Sequence, residues 1–110
     1  MNTEELLNTY YGKLETYTVT AKLQGPCGDT MEIFLDIQKN TINNIKVCAD
    51  GCIYTNICGA LLAQLAHRKT IDDAMAISAS DVLHSSNNIP PDHIHCSILA
   101  TSTLYKAIAL

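Results

Sequence analysis

Cysteine is the residue through which this chain could do chemistry. Five occur in 110 residues, at positions 27, 48, 52, 58 and 96. An odd number cannot close completely into disulfides within one chain. Cys27 sits in Gly25-Pro-Cys-Gly-Asp29, where glycines on both sides let the backbone turn sharply. That turn could aim its thiol and the Asp29 carboxylate at one site. Cys52 follows Gly51 at the start of an expected helix, where free amides and the positive end of the dipole favour a thiolate. His95 and Cys96 open the last expected helix, just after Pro90-Pro91. Three thiols at chain reversals and helix starts, joined by an imidazole and a carboxylate, predict a metal pocket. The donor set suits zinc or iron–sulfur chemistry.

Each residue also has a purely structural reading. A free cysteine often fills a core as a small hydrophobe, and Cys58, one step from the apolar stripe of its helix, is expected to do so. Cys48 is either a third-strand core residue or a spare ligand through its Cys48-x-x-x-Cys52 spacing. His67 reads as a charge at a helix C-terminus, His84 and His93 as solvated side chains, and Asp29 as a turn or cap residue. Neither a Cys-x-x-Cys pair nor a zinc-finger spacing occurs. A nucleophilic-thiol enzyme is the competing class, with His95 as activating base. Adjacent helical side chains point about 100° apart, which opposes a fixed His95–Cys96 dyad and suits ligand exchange.

The elements that must position these groups follow from periodicity. Residues 3–11 predict a short helix with Thr3 as its N-cap. Residues 15–23 place Tyr17, Val19, Ala21 and Leu23 on one side of a half-buried strand. The alternation in 31–37 predicts a second strand and 42–49 a third, with Asn40 and Asn43–Asn44 at the reversal. After Gly51 the period lengthens: Ile53, Ile57, Ala60, Leu61, Gln64 and Leu65 predict a helix over about 52–67. His67, Arg68 and Lys69 complement its dipole. Thr70 and Ser78 read as caps of helices over about 71–77 and onward to about Ser85. A last helix is expected from about Asp92, with Ile94, Ile98, Leu104 and Ile108 on its buried face. Strands first and helices second give an α+β domain, a three-stranded antiparallel meander with helices packed on one face.

Composition bounds the rest. A 12.0 kDa chain with 47% hydrophobic and 16% charged residues forms one folded domain over residues 1–110. Seven Lys and Arg against eleven Asp and Glu leave a net charge of −4, which opposes a nucleic-acid partner. No apolar stretch approaches the ~20 residues of a membrane span. The N-terminus MNTEELL lacks the basic start and apolar run of an export signal. A cytoplasmic setting, where thiols stay reduced, is the expectation.

With those residues assembled, the sequence resembles the NifU/IscU-type iron–sulfur cluster assembly scaffolds. Gly25-Pro-Cys-Gly-Asp-Thr-Met31 is similar to the family's first ligand loop, and Gly51-Cys52 to its second. Lys69-Thr70-Ile-Asp-Asp-Ala74 is similar to its Gly-Lys-Ser/Thr segment. Ile89-Pro-Pro-Asp-His-Ile-His-Cys-Ser-Ile-Leu-Ala100 is similar to the Pro-Pro…His-Cys-Ser-x-Leu-Ala stretch that carries the third cysteine. These landmarks cover about residues 25–110 in the family's order. The resemblance implies an IscU/SufE-like fold, with Cys27, Cys52 and Cys96 as cluster ligands and Asp29 or His95 in the fourth position. It implies a scaffold rather than an enzyme: a protein that takes iron, accepts persulfide sulfur from a cysteine desulfurase, builds a [2Fe–2S] cluster and passes it to apo-proteins. Cys96 is then the persulfide acceptor, Asp29 keeps the cluster labile, and zinc can occupy the same ligands when no cluster is present. A monomer or weak dimer is expected.

The sequence also departs from the family pattern. Small residues usually follow the second cysteine, whereas Ile53, Tyr54, Thr55 and Asn56 follow Cys52, with Cys58 as an extra thiol. The chaperone-recognition stretch, Leu-Pro-Pro-Val-Lys in many members, reads Ile89-Pro-Pro-Asp-His93, which speaks against docking of a dedicated Hsp70-type chaperone. The N-terminal Asn-Pro-Arg-Asn-type element is absent from residues 1–24. The uninterrupted gap from Cys52 to Cys96 and the presence of His95 favour the scaffold branch over the zinc-dependent sulfur-acceptor branch. A zinc-bound sulfurtransferase, or a non-catalytic zinc-stabilised paralogue, are the alternatives.

Overall fold

The acidic run that opens the chain folds as helix α1 (Thr3–Tyr10). Its cap is Asn2, not Thr3: Asn2 has the extended backbone a cap needs, and its side-chain oxygen accepts from the Glu5 amide at 2.8 Å. The computed structural model describes residues 2–26, 28–86 and 89–109. Strands β1 (Val19–Gln24), β2 (Thr30–Gln38) and β3 (Thr41–Asp50) lie in sequence order across one antiparallel sheet, the expected meander. Their register sets the inner face. Val19 and Ala21 stand opposite Leu35 and Ile33, which in turn stand opposite Ile45 and Val47. Met31, Ile33, Leu35 and Ile45 are fully buried there.

Three strand-level expectations are corrected. β1 starts at Val19 rather than at residue 15, and Tyr17 stays 45% exposed. Its ring packs edge-on against Phe34, centroids 5.2 Å apart, on the outer face of the sheet. The β2–β3 reversal is carried by Lys39 and Asn40 alone, at φ 52° and 61°. Two positive φ angles make the two-residue turn whose twist suits a hairpin. Asn43 and Asn44 lie inside β3 instead, at a bulge where Asp36 pairs with Asn44 and Ile37 with Ile42. Asn43, the extra residue, donates from its side-chain amide to Asp36 Oδ2 at 3.1 Å.

The helices cover the inner face. Helix α2 (Ile53–Ala66) packs on β3. It is buried almost all round: Ile57, Cys58, Ala60, Leu61, Leu62, Ala63 and Ala66 all belong to the core. Helices α3 (Ile71–Met75) and α4 (Ala79–His84) start at the expected caps, Thr70 and Ser78. Ser78 and Asp81 form a reciprocal capping box. A 3₁₀ turn (Pro91–His93) leads into α5 (Ile94–Ala109), which lies across β1 and β2. The buried face of α5 differs from expectation. Leu104 is fully buried and Ile108 partly, but Ile94 and Ile98 are 42% and 53% exposed. Small side chains (Cys96, Ala100, Thr103 and Ala107) take the inner face at 0% exposure. A helix pressed against two strands and α2 at once packs closely along these small residues, with Leu99 and Leu104 filling the space that remains. Among the described residues, no helix is long and apolar enough to cross a membrane.

Candidate metal centre

The strand register brings the candidate residues together. Gln24 pairs with Thr30, and Thr30 with Asp50. The 25–29 loop, which joins β1 to β2, and Gly51-Cys52, which joins β3 to α2, therefore emerge at the same end of the sheet. The start of α5 supplies His95 and Cys96 to that end. Gly28 adopts φ +86°, so the ligand loop turns as its glycines predicted. Cys27 itself lies outside the described residues.

Asp29 is not merely a turn residue. Its carbonyl accepts from the Gly25 amide at 2.7 Å, and its Oδ2 accepts the Thr55 hydroxyl at 2.5 Å. Gly51 makes that approach possible. A Cβ at this position would lie 2.7 Å from Asp29 Cγ and 2.9 Å from Oδ2, inside van der Waals contact.

Thr55 is the centre of the constellation, and sequence reasoning singled it out only as a departure from the family pattern. It is fully buried. Besides Asp29, its Oγ1 lies 3.5 Å from Cys52 Sγ and 3.6 Å from Cys96 Sγ. The available signal was spacing: Thr55 follows Cys52 by three residues, so both share one face of the first turn of α2.

Two overlapping groups of donors result. Asp29, His95 and Cys96 offer ligand atoms all within 4.8 Å of one another, and so do Cys52, His93 and Cys96. The adjacent pair converges despite its helical offset, with His95 Nε2 3.7 Å from Cys96 Sγ. His93 corrects the expectation of a solvated side chain: its Nδ1 lies 3.7 Å from Cys52 Sγ. Cys48 is not a spare ligand. It pairs with Glu32 on the outer face of the sheet, and its Sγ is 3.8 Å from Glu32 Oε1. Cys58 is fully buried in the core, as expected. His84 stays exposed and bonds within its own helix to Ser80. His67 ends α2 as predicted and meets the Tyr10 hydroxyl through Nδ1 at 3.1 Å.

The thiols differ in acidity. At Cys52, the cap residue of α2, burial would raise the pKa, but contact with the Thr55 side chain, the Thr55 and Tyr54 amides and the Cys96 thiol outweighs it and holds the thiol below its ordinary value. Burial pushes Cys96 up, opposed by Thr55 and reinforced by the nearby Cys52 and Asp29 charges. Cys58 is pushed up to about 12, chiefly by burial. The site thus pairs an open, acidic thiol with a closed one around a shared hydroxyl. Thiolate, imidazole and carboxylate donors at this spacing fit zinc or iron.

Comparison with known proteins gives a consistent picture. The family described as "NifU-like N terminal domain" matches residues 8–110. The chain is 32% identical over 98 residues to the iron-sulfur cluster assembly scaffold protein IscU 1 of Archaeoglobus fulgidus, covering 88% of this chain and 64% of that protein. It therefore spans less than two-thirds of that relative's length. In structure it is similar to a Fervidobacterium islandicum protein assigned to cluster assembly in the SUF system. That likeness has a TM-score of 0.77 and 17% identity, covering 97% of this chain and 91% of the other. A NifU-like N-terminal protein from Brucella abortus matches with a TM-score of 0.69 and 14% identity over 96% of this chain and 90% of the other. Both likenesses establish the fold.

Proposed function

Because the chain belongs to the family of NifU-like N terminal domains, we propose that it is an iron–sulfur cluster assembly scaffold, a carrier rather than an enzyme. Iron and sulfide are its cargo. Cys27, Cys52 and Cys96 would hold the cluster with Asp29 or His95 completing the set. The observation that carries this reading is the convergence of Asp29, Cys52, His95 and Cys96 at one end of the sheet, with ligand atoms within 4.8 Å in each group. Soft thiolates suit the cluster iron, and the hard Asp29 oxygen keeps the assembly labile enough to hand over.

Sulfur would arrive as persulfide from a cysteine desulfurase, and apo-proteins would receive the finished [2Fe–2S] cluster. Cys96 is the proposed acceptor. Its thiol is fully buried, so the 3₁₀ turn ahead of α5 has to move before the persulfide can reach it. Ile53 and Ile94, next in sequence to Cys52 and His95, are 54% and 42% exposed and offer apolar surface to such a partner. A reducing compartment such as the cytoplasm fits this chemistry.

Anaerobic reconstitution with ferrous iron, cysteine and a cysteine desulfurase tests the reading. The expected result is a [2Fe–2S] absorption envelope that Cys27→Ala, Cys52→Ala and Cys96→Ala each abolish. Stoichiometric zinc with persulfide on Cys96 and no chromophore would instead establish a zinc-bound sulfur acceptor. Unchanged metal binding and fold in all three variants would refute the shared pocket.

A further inference from the structure

We infer that His93 is a metal ligand, and that Cys52, His93 and Cys96 form a mononuclear site for a divalent zinc- or iron-type ion, distinct from the Asp29–His95 side of the pocket. The inference takes from the proposed function only that this pocket handles metal. In a tetrahedral site with Zn–S of about 2.3 Å and Zn–N of about 2.0–2.1 Å, the sulfur–nitrogen edge is about 3.6 Å. Cys52 Sγ and His93 Nδ1 stand 3.7 Å apart, and Cys96 Sγ completes a group within 4.8 Å. His93 and Cys96 are three residues apart, which puts them on one face where the 3₁₀ turn passes into α5.

Two further groups flank the ring. Asp92 Oδ2 lies 3.8 Å from His93 Nε2, the nitrogen turned away from Cys52. At that distance the carboxylate is an ion-pair neighbour rather than a hydrogen-bond partner, and its charge favours the proton on Nε2 that leaves Nδ1 free to bind metal. Tyr54 lies against the imidazole, ring centroids 4.4 Å apart and planes tilted by 37°. Tyr54, Asp92 and His93 come from two separate segments, and all three depart from the pattern of the family that the sequence resembles. In the fold they meet as one unit: a histidine, its carboxylate and its aromatic support.

The two donor groups share Cys96, so an ion on Cys52–His93–Cys96 excludes both a persulfide on Cys96 and a cluster. Asp29 and His95 remain uncommitted while it is bound. The site is a resting or loading position beside the assembly position, and zinc held there would slow cluster formation.

Cobalt(II) titration of the reduced, metal-free protein provides the test. The wild type is expected to show tetrahedral ligand-field bands with thiolate charge transfer. His93→Ala should lower the affinity on the order of a hundredfold, more than the loss of an outer partner usually does, and Asp92→Asn about tenfold. His93→Cys should restore tight binding, and His95→Ala should stay within a few-fold of wild type. Far-UV circular dichroism and urea unfolding of metal-free His93→Ala should match wild type, since the residue lies on a half-exposed turn. Binding by His93→Ala within twofold of wild type with an unchanged spectrum would overturn the assignment. So would a loss in His95→Ala as large as that in His93→Ala. Cluster reconstitution read separately distinguishes the two proposals. A wild type that binds cobalt through His93 but forms no cluster sinks the scaffold reading alone. Cluster formation with His93-independent cobalt binding sinks this one alone.

Discussion

Replacing Gly51 by alanine should loosen the site without replacing a ligand. Gly51 does not use positive φ, so its backbone accepts alanine, and the change should stabilise the fold by about 0.4–1 kcal/mol through the unfolded chain. Against that gain, the new Cβ would lie 2.7 Å from Asp29 Cγ, 2.9 Å from Oδ2 and 3.1 Å from Cβ. The last contact means that rotation of the carboxylate alone does not relieve the clash. Asp29 Cγ must retreat about 0.8 Å to reach ordinary contact near 3.5 Å. The same shift carries its 2.5 Å bond to Thr55 to about 3.3 Å, beyond the range of an O–H···O bond. A bond to a charged group contributes about 1.5–3 kcal/mol, and Asp29 is half-buried, so water recovers part and the lower figure applies. The net loss is about 0.5–1 kcal/mol, or a fall in Tm of about 2–4 °C for a domain of this size. Calorimetry of the metal-free protein measures it. The cycle with Thr55→Val isolates the cause: once the hydroxyl is gone, Gly51→Ala should be neutral or slightly stabilising, a coupling of about 1.5 kcal/mol. Equal losses in both backgrounds would refute the reasoning.

Other consequences are open to simpler measurements. In metal-free native protein at neutral pH, iodoacetamide should label Cys52 ahead of Cys48, Cys58 and Cys96, because among these four described thiols Cys52 is held below its ordinary pKa while the other three are raised. Labelling of Cys58 at a comparable rate, read by peptide mass spectrometry, would contradict its burial. Tyr10→Phe removes the bond to His67 that ties α1 to the end of α2 and should cost about 0.5–1.5 kcal/mol in urea unfolding. Asp81 is held below its ordinary pKa by the Ser78 amide and hydroxyl. Its contribution is therefore present at neutral pH and lost as pH falls through its folded-state value. Asp81→Asn should lack that loss, and parallel melting curves of the two proteins in acid would show the capping box to be inert.

The sequence by itself determined the architecture and most of the donor inventory. Period-two strands before period-3.6 helices made the α+β meander, because each pattern buries one face in only one way. Asp29 in its glycine-rich loop, the cap position of Cys52 and the His95–Cys96 pair were likewise legible as local signals. What only the tertiary structure decided was which side chains meet. Cys48 and Cys52 are four residues apart, yet the pleat of β3 turns Cys48 to the outer face, beside Glu32. Thr55 and His93 looked like a departure and a solvated imidazole. The alignment of Gln24, Thr30 and Asp50 at one end of the sheet, with α5 laid across β1 and β2, brings both against the thiols. Ile94 and Ile98 face outward for a related reason, since the inner face of α5 is already taken by Cys96, Ala100, Thr103 and Ala107 together with Leu99 and Leu104. Local pattern reports what a residue prefers, whereas contacts across more than forty positions of chain depend on register and packing, which no short window contains.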